Sequence, residues 1–239
     1  MIFVVVDQAI CQVYPITDRS LAYTTAATIP AGSLQLESGY FGVHDLSKVS
    51  DLRLDGLSLL TRLGLNDRAE LRLGLNGLSF NDAAGGVSGL APVTISSKLA
   101  VIDEGLKMPA ISLLAGVAVS DIASSELANE TIQPSLKIIA EKFLNDLFII
   151  GGNVGWTYLP DAPEIGYSVS LRLAITEELA LYGEFYGFNS AVTEARDFVD
   201  LAFEVWAWDG VALDVALGWG ITDAADGGFI SLGAARYFD

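Results

Sequence analysis

In Glu70-Leu71-Arg72-Leu73-Gly74-Leu75 the leucines occupy every odd position and the charges fall at even ones. A helix would mix these residues around its surface. A strand sends successive side chains to opposite faces, so the stretch reads as a strand with one apolar and one charged side. The same alternation recurs in Tyr167-Ser168-Val169-Ser170-Leu171-Arg172-Leu173-Ala174-Ile175 and in Val211-Ala212-Leu213-Asp214-Val215-Ala216-Leu217-Gly218-Trp219. Twelve such segments start near residues 33, 52, 69, 92, 108, 131, 147, 164, 179, 197, 211 and 228. Most run ~9 to 13 residues, long enough to cross a hydrocarbon core at a tilt, whereas strands of soluble proteins average ~5 to 6.

The connections alternate in length. Asn66-Asp67-Arg68, Asp103 to Lys107, Leu144-Asn145-Asp146, Thr176-Glu177-Glu178 and Asp209-Gly210 are turn-like, and Asp-Gly is a strong two-residue hairpin signal. The links near 43–51, 81–91, 120–130, 159–163, 189–196 and 221–227 are mostly longer. Short turns at one end, longer loops at the other and an even strand number predict an all-β fold. Its form is a transmembrane antiparallel β-barrel of about twelve strands, with short periplasmic turns and longer extracellular loops.

Composition agrees. Hydrophobic residues make up 51% of the 239, yet no run approaches the ~18 apolar residues that a spanning helix needs. A net charge of −17 disfavours nucleic acid as a partner. One cysteine, Cys11, and one histidine, His44, supply neither an internal disulfide nor a metal-ligand cluster. The start, Met1 followed by Ile2 to Val6 and then Asp7, lacks the basic flank and length of a full signal sequence. Residues 1–31 are therefore expected to be a leader remnant with a periplasmic or plug segment, because Gln12 to Ala31 shows no alternation, and 32–239 to be the barrel.

If strand one rises from the short turns, Tyr40, Trp156, Tyr158, Tyr167 and Trp219 fall near the loop end on the lipid-facing parity, as an aromatic girdle does. Trp206 and Trp208 share the inward parity of Asp200 and Glu204. The inward set contains Glu37, Arg62, Glu70, Arg72, Lys98, Lys137, Glu141, Arg172, Glu184, Asp200, Glu204 and Asp214. These form either a charge ladder that fills the lumen or a narrow polar path. Asp45, Asp51, Asp82, Asp121, Glu126, Asp161, Glu194, Asp223 and Asp226, against Lys48 and Arg196, concentrate negative charge in the longer links. They are solvated loops, or carriers of divalent cations that bridge to lipopolysaccharide.

Three stretches resemble an outer-membrane family named for the meta-pathway of phenol degradation, whose members are regarded as transporters. They are Ile16-Thr17-Asp18-Arg19 with Ile29-Pro30-Ala31-Gly32-Ser33-Leu34-Gln35-Leu36-Glu37-Ser38-Gly39-Tyr40, the hairpin from Leu63 to Gly74, and Leu173-Ala174-Ile175-Thr176-Glu177-Glu178-Leu179 with Leu181-Tyr182-Gly183-Glu184. The resemblance runs over roughly residues 15 to 238 and implies an outer-membrane location and passage of small molecules, hydrophobic ones among them; the ending Arg236-Tyr237-Phe238-Asp239 departs from the usual terminal aromatic.

A serine hydrolase would need His44 to activate a serine, and no motif around Ser47 or Ser50 supports one. Gly151-Gly152-Asn153-Val154-Gly155 has no Walker lysine and is better read as space on the lumen face. Asp223-Ala224-Ala225-Asp226 lacks calcium-loop spacing and reads as a turn. No enzyme, catalytic set, cofactor or metal is expected. The expected function is an outer-membrane channel for passive passage of small solutes, with hydrophobic or aromatic compounds among them. The alternative is a non-conducting structural or surface-binding barrel. The expected partners are outer-membrane lipid, lipopolysaccharide and a small-molecule solute.

Overall fold

A computed structural model of the chain describes residues 17–18, 22–44, 52–80, 86–225 and 227–239. The leader-like start with Cys11, and Arg19, Ser47, Lys48, Ser50, Asp45, Asp51, Asp82 and Asp226, lie outside the described residues. The strands are β1 (Leu34–His44), β2 (Leu52–Asn66), β3 (Ala69–Phe80), β4 (Val87–Leu90), β5 (Val93–Ile102), β6 (Ala110–Val119) and β7 (Gln133–Phe143). They continue with β8 (Phe148–Thr157), β9 (Glu164–Ala174), β10 (Leu179–Ser190), β11 (Arg196–Trp208), β12 (Val211–Gly220) and β13 (Gly228–Phe238). All neighbours are antiparallel, and β1 pairs with β2 on one side and β13 on the other while β2 pairs with β3, so the sheet closes into a barrel.

The barrel has twelve staves, one of them broken. β4 falls inside the link expected near 81–91 and, with β5, forms a single stave against β3. Leu90 lies opposite Gly77 and Thr94 opposite Gly74, so Ala91, Pro92 and Val93 face only two residues of β3. Pro92 has no N–H for the ladder, which accounts for the bulge. Another register shift lies between Trp206 and Trp208. It corrects the inward placement expected for Trp208, which is 65% exposed and registers with Val211.

Further shifts fall only near strand ends, at Val43/His44, Gly64/Asn66 and Ala100/Ile102, and along the strand centres parity is regular. Leu71, Leu73, Val169, Leu171 and Leu217 are exposed on the outside, whereas Arg62, Glu70 and Lys98 are fully buried inside. This inverts the usual partition of a soluble protein and suits a barrel whose outer surface meets lipid. At the loop end, Trp156, Tyr158 and Trp219 are exposed and Tyr40 and Tyr167 partly so, all on the outward parity. The Tyr167 hydroxyl donates to Asp197 Oδ1 at 2.5 Å, reaching from β9 to β11 over Gly187 of β10. Residues Asp223–Ala225 form one turn of 3-10 helix between β12 and β13.

Tyr237 turns inward to pair with the Ser33 hydroxyl at 2.8 Å, while Arg236 on the outside donates to the Asp209 carbonyl at 2.6 Å. A basic residue on the outer face at the barrel rim is thus partly neutralised by a turn carbonyl.

Candidate functional site

Of residues 17–31, the described ones, 17–18 and 22–31, do not pair with the sheet. Their backbone has no ladder to satisfy it, and an irregular chain at membrane depth is tolerated only when protein groups meet its N–H and C=O groups. The wall provides them. Carboxylates accept from backbone N–H groups: Glu37 from Asp18 at 2.8 Å, Glu70 from Ile29 at 2.8 Å, Glu184 from Ala22 at 3.0 Å and Glu204 from Thr17 at 3.2 Å. Cations and a hydroxyl donate to its carbonyls: Lys98 to Thr25 at 3.0 Å and Ala27 at 2.9 Å, Lys137 to Ala22 at 3.5 Å, and Ser112 to Ala26 at 2.5 Å. The segment therefore spans the lumen between opposite walls.

One side of the lumen is a closed charge cluster. Asp18 Oδ2 lies 2.9 Å from Lys98 Nζ, 3.0 Å from Arg72 Nη1 and 3.7 Å from Arg62 Nη1. Its other oxygen accepts from the Thr25 amide and hydroxyl at 2.8 and 2.9 Å. Arg62 forks onto Glu70 through Nε and Nη2, both at 3.1 Å, and reaches Glu37 at 3.3 Å. Asp18, Glu37 and Glu70 thus balance Arg62, Arg72 and Lys98, which is how so many charges stay buried. Burial pulls the Asp18 carboxyl upward, but the charges of Lys98, Arg62 and Arg72 overcome it and hold the group well below the usual carboxylate range. Burial, then the neighbouring Glu141 that accepts its hydroxyl hydrogen, push Tyr23 far above the ordinary phenol range.

Tyr23 also explains an inward glycine. A Cβ at Gly151 would sit 2.3 Å from the Tyr23 hydroxyl oxygen, so the ring occupies the space that Gly151 leaves open. Gly64 holds the chain where it turns from the lumen into β1: a Cβ there would come 1.8 Å from the Pro30 carbonyl oxygen.

The other side differs. Arg172 donates to the Tyr182 hydroxyl at 3.0 Å. Glu184 registers opposite Asp200, and Glu204 opposite Asp214, giving an acidic strip along β10, β11 and β12. Asp200 is 3% exposed and neither of its carboxylate oxygens has a hydrogen-bond partner. It borders a cavity of about 460 Å³ at the loop end, floored by Ala22 and walled by Phe41, Tyr186, Phe229, Asn76 and Ser231 among others. Tyr186 is held by a stacked Phe198, centroids 5.0 Å apart, and an edge-on Phe188 at 6.1 Å.

Of the twelve residues assigned to the inward face by parity, nine (Glu37, Arg62, Glu70, Arg72, Lys98, Lys137, Glu141, Glu184 and Glu204) hydrogen-bond directly to residues between Thr17 and Ile29, Asp200 and Asp214 are buried, and Arg172 donates to the buried Tyr182. Asp18 and the aromatic cavity wall are additions. Asp18 sits in a stretch without periodicity, while Tyr186 shares the parity of Glu184 and could have been read from it.

Known proteins share this architecture. The chain is similar to the crystal structure of the COG4313 outer membrane channel from Pseudomonas putida F1, with 15% identity and a TM-score of 0.63 over 89% of this chain and 98% of that one. It is similar to the KdgM porin in complex with disordered oligogalacturonate, at 6% identity and TM-score 0.62 over 87% and 99%, and to the NanC porin, at 6% and 0.59 over 85% and 98%. No curated protein matches the sequence. The closed barrel with its apolar exterior is that of a bacterial outer-membrane protein. The model of the family described as "Putative MetA-pathway of phenol degradation" matches residues 17–237, and the chain belongs to that family.

Proposed function

We propose that the protein is a passive channel for small solutes in which residues 17–18 and 22–31 form a fixed constriction across the lumen. The single observation that carries this is the segment itself: wall carboxylates and cations hold it, while an aromatic-walled cavity stays open above it. Twelve strands tilted ~40° give a backbone radius of roughly 12 Å, so a segment inside leaves room for small solutes alone. The fold shared with an outer membrane channel and with porins supports the reading. Phe41, Tyr186 and Phe229 favour solutes with hydrophobic or aromatic parts.

In this reading the short turns face the periplasm, and Tyr40, Trp156, Tyr158, Tyr167 and Trp219 mark the outer interface. Asp121, Glu126, Asp161, Glu194 and Asp223 then lie in outward loops, where divalent cations would tie them to lipopolysaccharide. Planar-bilayer recording on refolded protein tests the proposal: discrete conductance steps are expected. A barrel that inserts, shows heat-modifiable migration and never conducts would overturn it. The filled charge cluster favours a non-conducting scaffold as the second reading, and that result would establish it.

A further inference from the structure

The cavity above the segment combines two features that call for different things. Its aromatic rings accept an apolar body. Asp200, with two unpartnered oxygens at 3% exposure, calls for a hydrogen-bond donor, because a buried carboxylate without a partner is costly. Glu184 faces it across the β10–β11 pair and keeps one oxygen, Oε1, without a hydrogen-bond partner. No basic side chain among the described residues forms an ion pair with either. Single atoms of Gln35, Ser170 and Ser190 also lack a hydrogen-bond partner, but at Asp200 both carboxylate oxygens do.

We infer that the cavity bordered by Asp200, Tyr186, Phe41 and Phe229 is a binding site for a small organic ammonium ion with an aromatic body. The ammonium group donates to Asp200, with the Glu184 carboxylate adding field, while the ring lies against the aromatic wall. A cation beside such rings gains further from their quadrupoles when water is excluded. About 460 Å³ is the size of an ordinary small-molecule pocket. An anion would meet two carboxylates. A plain hydrocarbon would leave Asp200 unpaired, and a bare metal ion would gain little from the rings. The inference deepens the channel reading and rests on it for how the ligand arrives, but binding is measured without conduction, so the two can fail separately.

Titration calorimetry on the refolded full chain in detergent provides the test, with 2-phenylethylammonium as probe and 2-phenylethanol, phenylacetate and potassium ion as comparisons. Saturable binding of the ammonium is expected, at least tenfold tighter than any of the three, and Asp200→Asn should weaken it at least tenfold with heat-modifiable migration retained. Equal affinity for 2-phenylethanol, or displacement by equimolar potassium, would overturn the inference even if the variant failed to fold. Unchanged affinity in a folded Asp200→Asn protein would do the same.

Discussion

Replacing Asp18 with asparagine tests whether the ion cluster is what keeps residues 17–31 across the lumen. The carboxylate lies within 3.0 Å of Lys98 and Arg72 and 3.7 Å of Arg62, all buried. Without it, Arg62, Arg72 and Lys98 face only Glu37 and Glu70, leaving one positive charge in excess. Removing one partner from a buried ion pair costs ~3–5 kcal/mol. Asparagine keeps an acceptor for the Thr25 amide and hydroxyl, so the lower figure applies. At ~1.4 kcal/mol per factor of ten, ~3 kcal/mol shifts the ratio of docked to released segment by roughly 100-fold. Single-channel recording should show more frequent or larger openings in Asp18→Asn than in the parent. Acid should act in the same direction. A carboxyl held below its ordinary pKa contributes all its stabilisation above that value of ~4 and loses it as pH falls toward the depressed one. Asp18 itself therefore adds no pH dependence between neutral pH and ~4; below ~4 parent openings should rise, with a weaker rise in the variant. Identical amplitude and frequency in a folded Asp18→Asn barrel would refute the reasoning.

Gly64→Ala should loosen the same segment without changing charge, because its Cβ would press on the Pro30 carbonyl; unaltered channel noise would argue against a fixed constriction. Val169→Arg, at the centre of β9 with its side chain 55% exposed to lipid, should destabilise the barrel by ~2–4 kcal/mol in lipid unfolding titrations, whereas Leu106→Arg in a short turn should do almost nothing. Tyr167→Phe removes the donor to Asp197 and should cost ~1.5–3 kcal/mol in the same assay, which a ΔΔG near zero would contradict. Under a potassium chloride gradient the reversal potential should indicate potassium over chloride, since inward acids Glu37, Glu70, Glu141, Glu184, Asp200, Glu204 and Asp214 outnumber Arg62, Arg72, Lys98, Lys137 and Arg172. Asp223→Asn at the loop end should reduce that bias most at low salt, where screening is weakest, and anion selectivity would defeat the electrostatic argument.

The alternation that starts at Glu70 made the barrel legible because period two is a local property: each strand declares its two faces whatever its partners are. Turn residues such as Asp209-Gly210 fixed the hairpin spacing in the same local way. The rule failed where the backbone itself breaks period. Pro92 cannot join a ladder, so β4 falls in a stretch whose pattern marks a loop, and the shift between Trp206 and Trp208 reverses the face of Trp208. Neither bulge has a signature in the apolar pattern, because an extra residue changes parity without changing composition.

Parity also says which side chains look inward and nothing about what they meet there. Arg62 and Lys98 read equally well as the lining of a wet path or as partners of a peptide. What distinguishes the two is backbone polarity, and the arrangement follows it closely. Where segment 17–31 presents carbonyls, the wall carries Lys98, Lys137 and Ser112; where it presents N–H groups, the wall carries Glu37, Glu70, Glu184 and Glu204. Mixed charge in the lumen is thus what an irregular chain requires of a barrel that surrounds it. Asp200 stands one strand beyond Glu184, on the cavity that Ala22 floors, and accepts from no backbone group of the described residues. A carboxylate kept there, against rings and beside an open cavity, bonds none of the described residues of the segment, and this is what the inferred ammonium ligand would satisfy.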